Sequence, residues 1–323
     1  MNNRLCSATN NIIKIDNIGR PRKVFTVLTM KCNSLCNHCY IRSGPDYDQS
    51  DVLPFNKLIN QLVENVIPVS QMLLSGGEVF LLKDVDKLIA IAAQLYPTKI
   101  LTNGSISCED ILQLIIKNKV ELQVTLTGHN SAVDNLIRGQ IFDRTINTIE
   151  RFIELGGSEL LTISIALGKC NIKHIEDIIL FCIGLKVKKL VFSFILKQGR
   201  ALDNWEQFAL SDYEKIRVIK TLAFYQNKFI SKVKISTSGL KQYVNSILDH
   251  QEDFSCSQVS EEIIVYPDGH ISLCPKLLVY LDCIQYNLCI EDIRVVTYVP
   301  LCYSEKCAKC ESQSRCAMTC LLN

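Results

Sequence analysis

Three cysteines in the segment KCNSLCNHCY, Cys32, Cys36 and Cys39, stand at C-x3-C-x2-C spacing. Thiolates are soft ligands, and three on one short loop can grip three irons of a cubane and leave the fourth iron open. A cluster that only transfers electrons closes with a fourth ligand, whereas an open iron can chelate a substrate or cofactor. Zinc suits the trio less well, because structural zinc usually takes four protein ligands in two close pairs. His38 lies inside the loop, either as a fourth ligand or, as preferred here, packed beside it.

The chain has sixteen cysteines, and nine of them crowd the end, from Cys256 to Cys320. In a short secreted chain that density would suggest disulfides; a chain of 323 residues with no secretion signal points to metal binding or catalysis instead. The segment KCAKCESQSRCAMTC (306–320) has too little apolar content to fold by burial and needs a metal staple. Cys307, Cys310, Cys316 and Cys320 alone would satisfy a structural zinc. Cys108, Cys170 and Cys182 are expected to act as small core hydrophobes and Cys6 as a surface thiol. His129, His174, His250 and His270 show no paired ligand spacing and read as ordinary residues, as does Trp205, a packing residue. Asp134 reads equally as a polar active-site group, a helix cap or part of a solvated face.

Elements must hold these groups in place. Lys and Arg number 35 against 33 Asp and Glu, a net charge of +2, which argues against nucleic-acid or polybasic membrane binding. Hydrophobic residues make up 48% and charged residues 21%, enough for a large core. No apolar run reaches the roughly 18 residues of a membrane span, and no signal peptide is evident, so a cytoplasmic location is expected.

From residue 24 onward the pattern alternates. Strands are expected at 24–30, 71–75, 99–104, 121–128, 160–167, 188–196 and 232–237, with helical spacing at 55–67, 84–96, 108–119, 143–155, 172–185 and 211–229. Such βαβ units make an α/β fold with parallel strands, a partial (β/α)6 barrel or open wound sheet, whose active residues lie at the carboxyl ends of the strands. The cysteine trio follows strand one, Gly76-Gly77-Glu78 strand two, TNG (102–104) strand three, and TLTG (125–128) ends strand four. Residues 261–275 read as a hairpin around Pro-Asp-Gly. Three regions are expected: an N-terminal segment 1–23, the barrel 24–245, and a cysteine-rich domain 246–323.

Taken together, the trio, SGGEVFLL (75–82), LTNG (101–104), QVTLTGHNSAVDNLIRG (123–139) and KQGRALDN (197–204) resemble the radical S-adenosylmethionine (SAM) superfamily. The resemblance implies a SAM-binding 4Fe-4S cluster on Cys32, Cys36 and Cys39, with the aromatic Tyr40 beside it. It further implies that Gly76, Gly77 and Glu78 meet the SAM amino group, that Thr102 and Asn103 form the strand-three end of the cofactor site, and that Thr125 and Arg138 meet the SAM carboxylate. Thr127 stands where the family usually has Asp. The implied reaction is reductive cleavage of SAM to methionine and a 5′-deoxyadenosyl radical, which abstracts a hydrogen atom.

The C-terminal pattern resembles the SPASM extension, which carries auxiliary iron–sulfur clusters. By that resemblance Cys307, Cys310 and Cys316 hold an outer cluster, and Cys256, Cys274 and Cys320 an inner one. Six of seven cysteines of the pattern are present before the sequence stops at Leu321-Leu322-Asn323; Cys283, Cys289 or Cys302 can replace the seventh, or one cluster is open or absent. Relatives of this type mostly modify peptides and proteins. The leading expectation is maturation of a ribosomally made precursor peptide by a thioether or carbon–carbon crosslink, with auxiliary clusters accepting the leftover electron or binding the peptide. The alternatives are a sulfatase-maturing, formylglycine-forming enzyme, an enzyme of tetrapyrrole or haem precursors, and a non-catalytic scaffold. A flavodoxin or ferredoxin is the expected electron donor. With about 23 residues ahead of strand one, leader recognition is expected from the barrel, the segment NIIKIDNIGRPRKV or a separate protein.

Overall fold

The computed structural model describes residues 22–48, 52–65, 67–238 and 262–272. Cys6 and all nine cysteines from Cys256 onward lie outside the described residues, and with them the expected ligation of auxiliary clusters. The chain runs β1 (Arg22–Val27), α1 (Phe55–Glu64), β2 (Val69–Ser75), α2 (Val85–Leu95), β3 (Thr98–Thr102), α3 (Glu109–Lys117) and β4 (Glu121–Thr125). There follow α4 (Ser131–Arg138), α5 (Phe142–Glu154), β5 (Leu161–Leu167), α6 (Ile175–Gly184), β6 (Lys189–Phe194), the short α7 (Trp205–Phe208), α8 (Asp212–Lys228) and β7 (Lys234–Thr237). After the undescribed stretch come β8 (Glu262–Val265) and β9 (Ile271–Ser272).

One open sheet results, in the order β7-β6-β5-β4-β3-β2-β1-β8-β9. Every pairing is parallel except β8 with β9. Parallel strands are covered on both faces and so read as apolar runs; β5, LTISIAL, buries Leu161, Ile163, Ile165 and Leu167 completely. Helices supply the cover through one apolar stripe each. In α1, Phe55, Leu58, Ile59 and Leu62 are buried at the i, i+3, i+4, i+7 positions of such a stripe.

Local signals explain the boundaries. Helix α5 stops where Gly156 takes φ +90°. There Gly156 N donates to Ile153 O at 3.0 Å and Gly157 N to Phe152 O at 2.9 Å, the paired bonds of a Schellman stop. Helix α8 starts with a capping box between Ser211 and Glu214. The expected hairpin exists as β8 and β9 around Pro267-Asp268-Gly269, with Gly269 at φ +86°. Its first strand lies parallel to β1 and extends the main sheet past that strand. No helix among the described residues is long and apolar enough to cross a membrane.

Because the strands are parallel, their carboxyl ends and following loops gather on one edge. Buried Asn171 bolts two of these loops together. Its Nδ2 donates to Thr127 O after β4 and to Ala166 O in β5, both at 2.9 Å, and its Oδ1 accepts from Gly168 N at 2.9 Å. Asn171→Ala strands these buried partners; the unfolding free energy is expected to fall by about 1–3 kcal/mol, read as a lower urea midpoint with an unchanged slope.

Candidate active site

The cysteine loop is delivered by an extension of β1. Past Val27, Leu28 N donates to Ser75 O at 2.7 Å, Gly77 N to Thr29 O at 2.7 Å and Glu78 N to Lys31 O at 2.9 Å. The Gly-Gly-Glu segment thus carries strand pairing up to the residue before Cys32. The approach is so close that a Cβ on Gly77 would stand 2.1 Å from Lys31 O, so only glycine fits this cradle.

Glu78 turns away from the loop and inward. Fully buried, it accepts from Thr102 Oγ1 at 2.7 Å, Asn103 N at 2.8 Å and Phe80 N at 3.2 Å. Burial pushes its carboxyl pKa up; these three donors and the Arg138 charge pull it back. Asn103 is the hub of the site. Its Nδ2 donates to Asn33 Oδ1 at 2.9 Å and approaches Cys32 Sγ at 3.8 Å, while its Oδ1 accepts from Ser105 N and Ser105 Oγ. Its carbonyl accepts from Arg138 Nη2 and from Thr145 Oγ1.

Arg138 and Asp134 are both completely buried and form an ion pair at 3.3 Å. Such a pair persists in low dielectric only when further hydrogen bonds satisfy it. Asp134 Oδ1 accepts from Thr127 N at 2.6 Å and Thr127 Oγ1 at 2.9 Å. Asp134 therefore answers Thr127 with its carboxylate and faces no solvent. Arg138 Nε is buried with no hydrogen-bond partner among the described residues. Thr125 ends β4 half-buried, in register with Ser164.

The three thiols are free and feel one another's charge. Burial pushes Cys32 up to about 12 and raises Cys36; a neighbouring positive centre is what such thiols need to ionise. Ser34 Oγ lies 3.3 Å from Cys36 Sγ and donates to Arg138 O at 2.9 Å, tying the loop to α4. On its other side the Gly-Arg-Ala turn clamps the loop. Arg200 N donates to Cys39 O at 2.9 Å, and its guanidinium donates to Cys36 O at 2.7 Å and Ser43 O at 2.6 Å. Gly199 sits at φ +56°, and a Cβ there would be 2.3 Å from Cys39 O. At His38, burial, then the Arg138 charge, lowers the ring pKa to about 4 against a bond to the Ile137 carbonyl. Tyr40 is half-buried, and burial, then the charges of Cys39 and Glu262, raises its hydroxyl.

Some expectations change. Cys182 is a core residue and Cys170 half-buried, but Cys108 is exposed, because it occupies the extended N-cap position of α3 at the surface. Trp205 packs, as expected, with Ile137, Ile195, Ala201 and Phe208. His129 and His174 lie with ring centroids 5.2 Å apart despite lacking any spacing that relates them. Asn33, Ser105 and Arg200 carry no motif that marks their contacts, apart from the Gly-Arg-Ala turn around Arg200.

Residues 26–182 match the family model described as the radical SAM superfamily. The chain carries a radical SAM domain. Related sequences include the antilisterial bacteriocin subtilosin biosynthesis protein AlbA of Bacillus subtilis, 25% identical over 54% of this chain and 40% of AlbA. The mycofactocin maturase MftC of Mycolicibacterium smegmatis is 26% identical over 55% of this chain and 46% of MftC. The chain thus spans about half the length of the curated relatives it matches. The fold of the radical SAM domain and its flanks is that of SuiB of Streptococcus suis, solved bound to precursor peptide SuiA. That likeness has a TM-score of 0.73 and 19% identity, and covers 94% of this chain and 72% of SuiB. Native anSMEcpe with bound AdoMet matches with a TM-score of 0.65 and 16% identity, over 92% of this chain and 88% of that one.

The residues fit the group that a radical SAM domain implies: three free thiols on one short loop, a glycine cradle against it and one arginine donor without a partner among the described residues. Gly77→Ala must push Lys31 aside. The variant is expected to lose the SAM-perturbed paramagnetic signal of the reduced cluster. Gly184→Ala, whose Cβ meets nothing within 4 Å, is expected to keep it.

Proposed function

We propose that this chain is a radical SAM maturase acting on a ribosomally made precursor peptide. Cys32, Cys36 and Cys39 hold a 4Fe-4S cluster with one iron left for SAM. The observation that carries this is the joining of the trio, the Gly-Gly cradle and the Asn103–Arg138 network at one edge of a parallel sheet. When bound, these groups supply a 5′-deoxyadenosyl radical that takes a hydrogen atom from the peptide, with auxiliary clusters on Cys256, Cys274, Cys307, Cys310, Cys316 and Cys320 to accept an electron.

The protein's own residues bind, orient and exclude water. The backbone of Gly76 and Gly77 lies against the start of the cysteine loop and offers the surface for an amino group. Glu78 takes no direct part as a free carboxylate; it fixes the end of β3, where Thr102 and Asn103 line the cofactor. Thr125 at the end of β4 and the spare Nε of Arg138 are the groups for a carboxylate. Arg138 is completely buried, with its Nη atoms already held by Asp134, Asn103 O and Thr145 Oγ1, which leaves Nε as its one donor without a partner among the described residues. Tyr40 extends the cysteine loop beside the cofactor.

Peptide maturation is supported by the likeness to AlbA and MftC and by the peptide-bound SuiB fold, and the bond formed is a thioether or carbon–carbon crosslink. Reduction comes from a flavodoxin- or ferredoxin-type protein, and the leader is recognised by the barrel, the segment NIIKIDNIGRPRKV or a separate protein. Anaerobic turnover of a candidate peptide with SAM and reductant is expected to yield 5′-deoxyadenosine and a peptide lighter by two hydrogens. Cys36→Ala is expected to abolish both; continued turnover in that variant overturns the assignment of the trio. Cys316→Ala is expected to keep uncoupled SAM cleavage and lose the peptide product; unchanged product and iron content overturn the auxiliary-cluster assignment.

A further inference from the structure

We propose that His129, His174 and Asp177 form a second metal site, separate from the cysteines, for a divalent transition ion of the zinc class. His129 lies in the loop after β4, one residue ahead of the Asn130 cap of α4. His174 directly precedes α6, and Asp177 sits in its first turn. Forty-five residues separate the two histidines in the chain, yet one ligand atom from each of the three side chains lies within 4.8 Å of the others. The imidazole rings are tilted at 48° and do not stack face to face.

The grouping is held by the scaffold. Asn171, three residues before His174, is the buried bolt that ties this loop to Thr127 O, two residues before His129. A Cβ on Gly128 would stand 2.3 Å from Asp134 N, so the other loop is pinned to α4. The donors are therefore positioned before an ion arrives, which reduces the ordering cost of binding.

The separations are ones an ion can bridge. His174 Nδ1 and Asp177 Oδ2 are 3.3 Å apart. Donors about 2.0–2.1 Å from a tetrahedral zinc are about 3.3 Å from each other. The His129 ring is also incompletely satisfied. Its Nε2 faces Asn130 Nδ2 at 2.8 Å, while Nδ1 is buried with no hydrogen-bond partner among the described residues.

Ligand chemistry sets the class of ion. Two imidazoles and one carboxylate suit zinc, cobalt, nickel or copper and exclude magnesium and calcium, which prefer all-oxygen shells. Three protein donors leave one position open for water or a donor atom of a bound molecule. Charge makes Asp177 indispensable: the amino end of α6 repels a cation, and the carboxylate in its first turn offsets this. Entry is direct, since the His174 side chain is 24% and that of Asp177 54% exposed.

The test uses the full chain with its clusters reconstituted anaerobically and Co2+ alone as the probe. Wild type is expected to take up one Co2+ with visible bands of nitrogen and oxygen ligation and no sulfur charge-transfer band. His129→Gln, His174→Gln and Asp177→Asn are each expected to weaken that uptake at least tenfold, with cluster absorbance and circular dichroism unchanged. His270→Gln is expected to behave as wild type. Absence of such bands in wild type, equal uptake by the His129→Gln/His174→Gln pair, or bands of sulfur ligation overturn the proposal. Because the readout is cobalt uptake with the clusters intact, its failure is distinguishable from failure of the SAM chemistry.

Discussion

The site depends on satisfying polar groups that have no access to water. Where β2, β3 and β4 end, Glu78, Asn103, Arg138 and Asp134 are all closed from solvent or nearly so. A buried carboxylate or guanidinium is costly unless every lone pair and proton finds a partner. Asn103 answers most of them at once, with its amide, carbonyl and side chain each committed to a different strand end or loop. The cysteine loop is the outermost member of this set, joined through Asn33 and Ser34. The shape of the cysteine loop and the stability of the sheet edge are therefore one physical problem, and a change that orphans any member reaches the thiols.

Glycine and arginine do complementary work around that loop. Gly77 allows backbone to approach backbone from β2, and Gly199 does the same from the turn after β6. Arg200 then spans the gap with a planar fork of donors, which a lysine ammonium could not match on two carbonyls in fixed directions. Arg42 and Asp203 add an exposed bidentate pair along the same seam, worth little alone and consistent in direction.

What the sequence discloses follows from how local each determinant is. The trio is legible because its ligand spacing is contained in eight residues, and the strands because parallel sheets demand long apolar runs. The Gly156-Gly157 stop and the Ser211 cap are written in adjacent residues. Asn103 as a hub and Asn171 as a bolt are not, since each acts across strands that only the fold brings together. The His129–His174 approach is invisible for the same reason. Cys108 misleads because helical spacing marks an element without marking which of its ends is bare. Asp134, open in the sequence between three roles, proves to be buried and bonded to Thr127 seven residues away across a turn, a contact that spacing does not mark.

The Arg200 clamp also orders events in time. It closes on Cys36 and Ser43 across about 160 residues of chain. At synthesis rates of about 5–20 residues per second, roughly ten to thirty seconds pass between the making of the thiols and the making of their clamp. During that interval the nascent loop is unanchored on one side, and its sulfurs are open to oxidants and to adventitious ions. The loop takes its final anchored shape only after the sixth strand has left the ribosome.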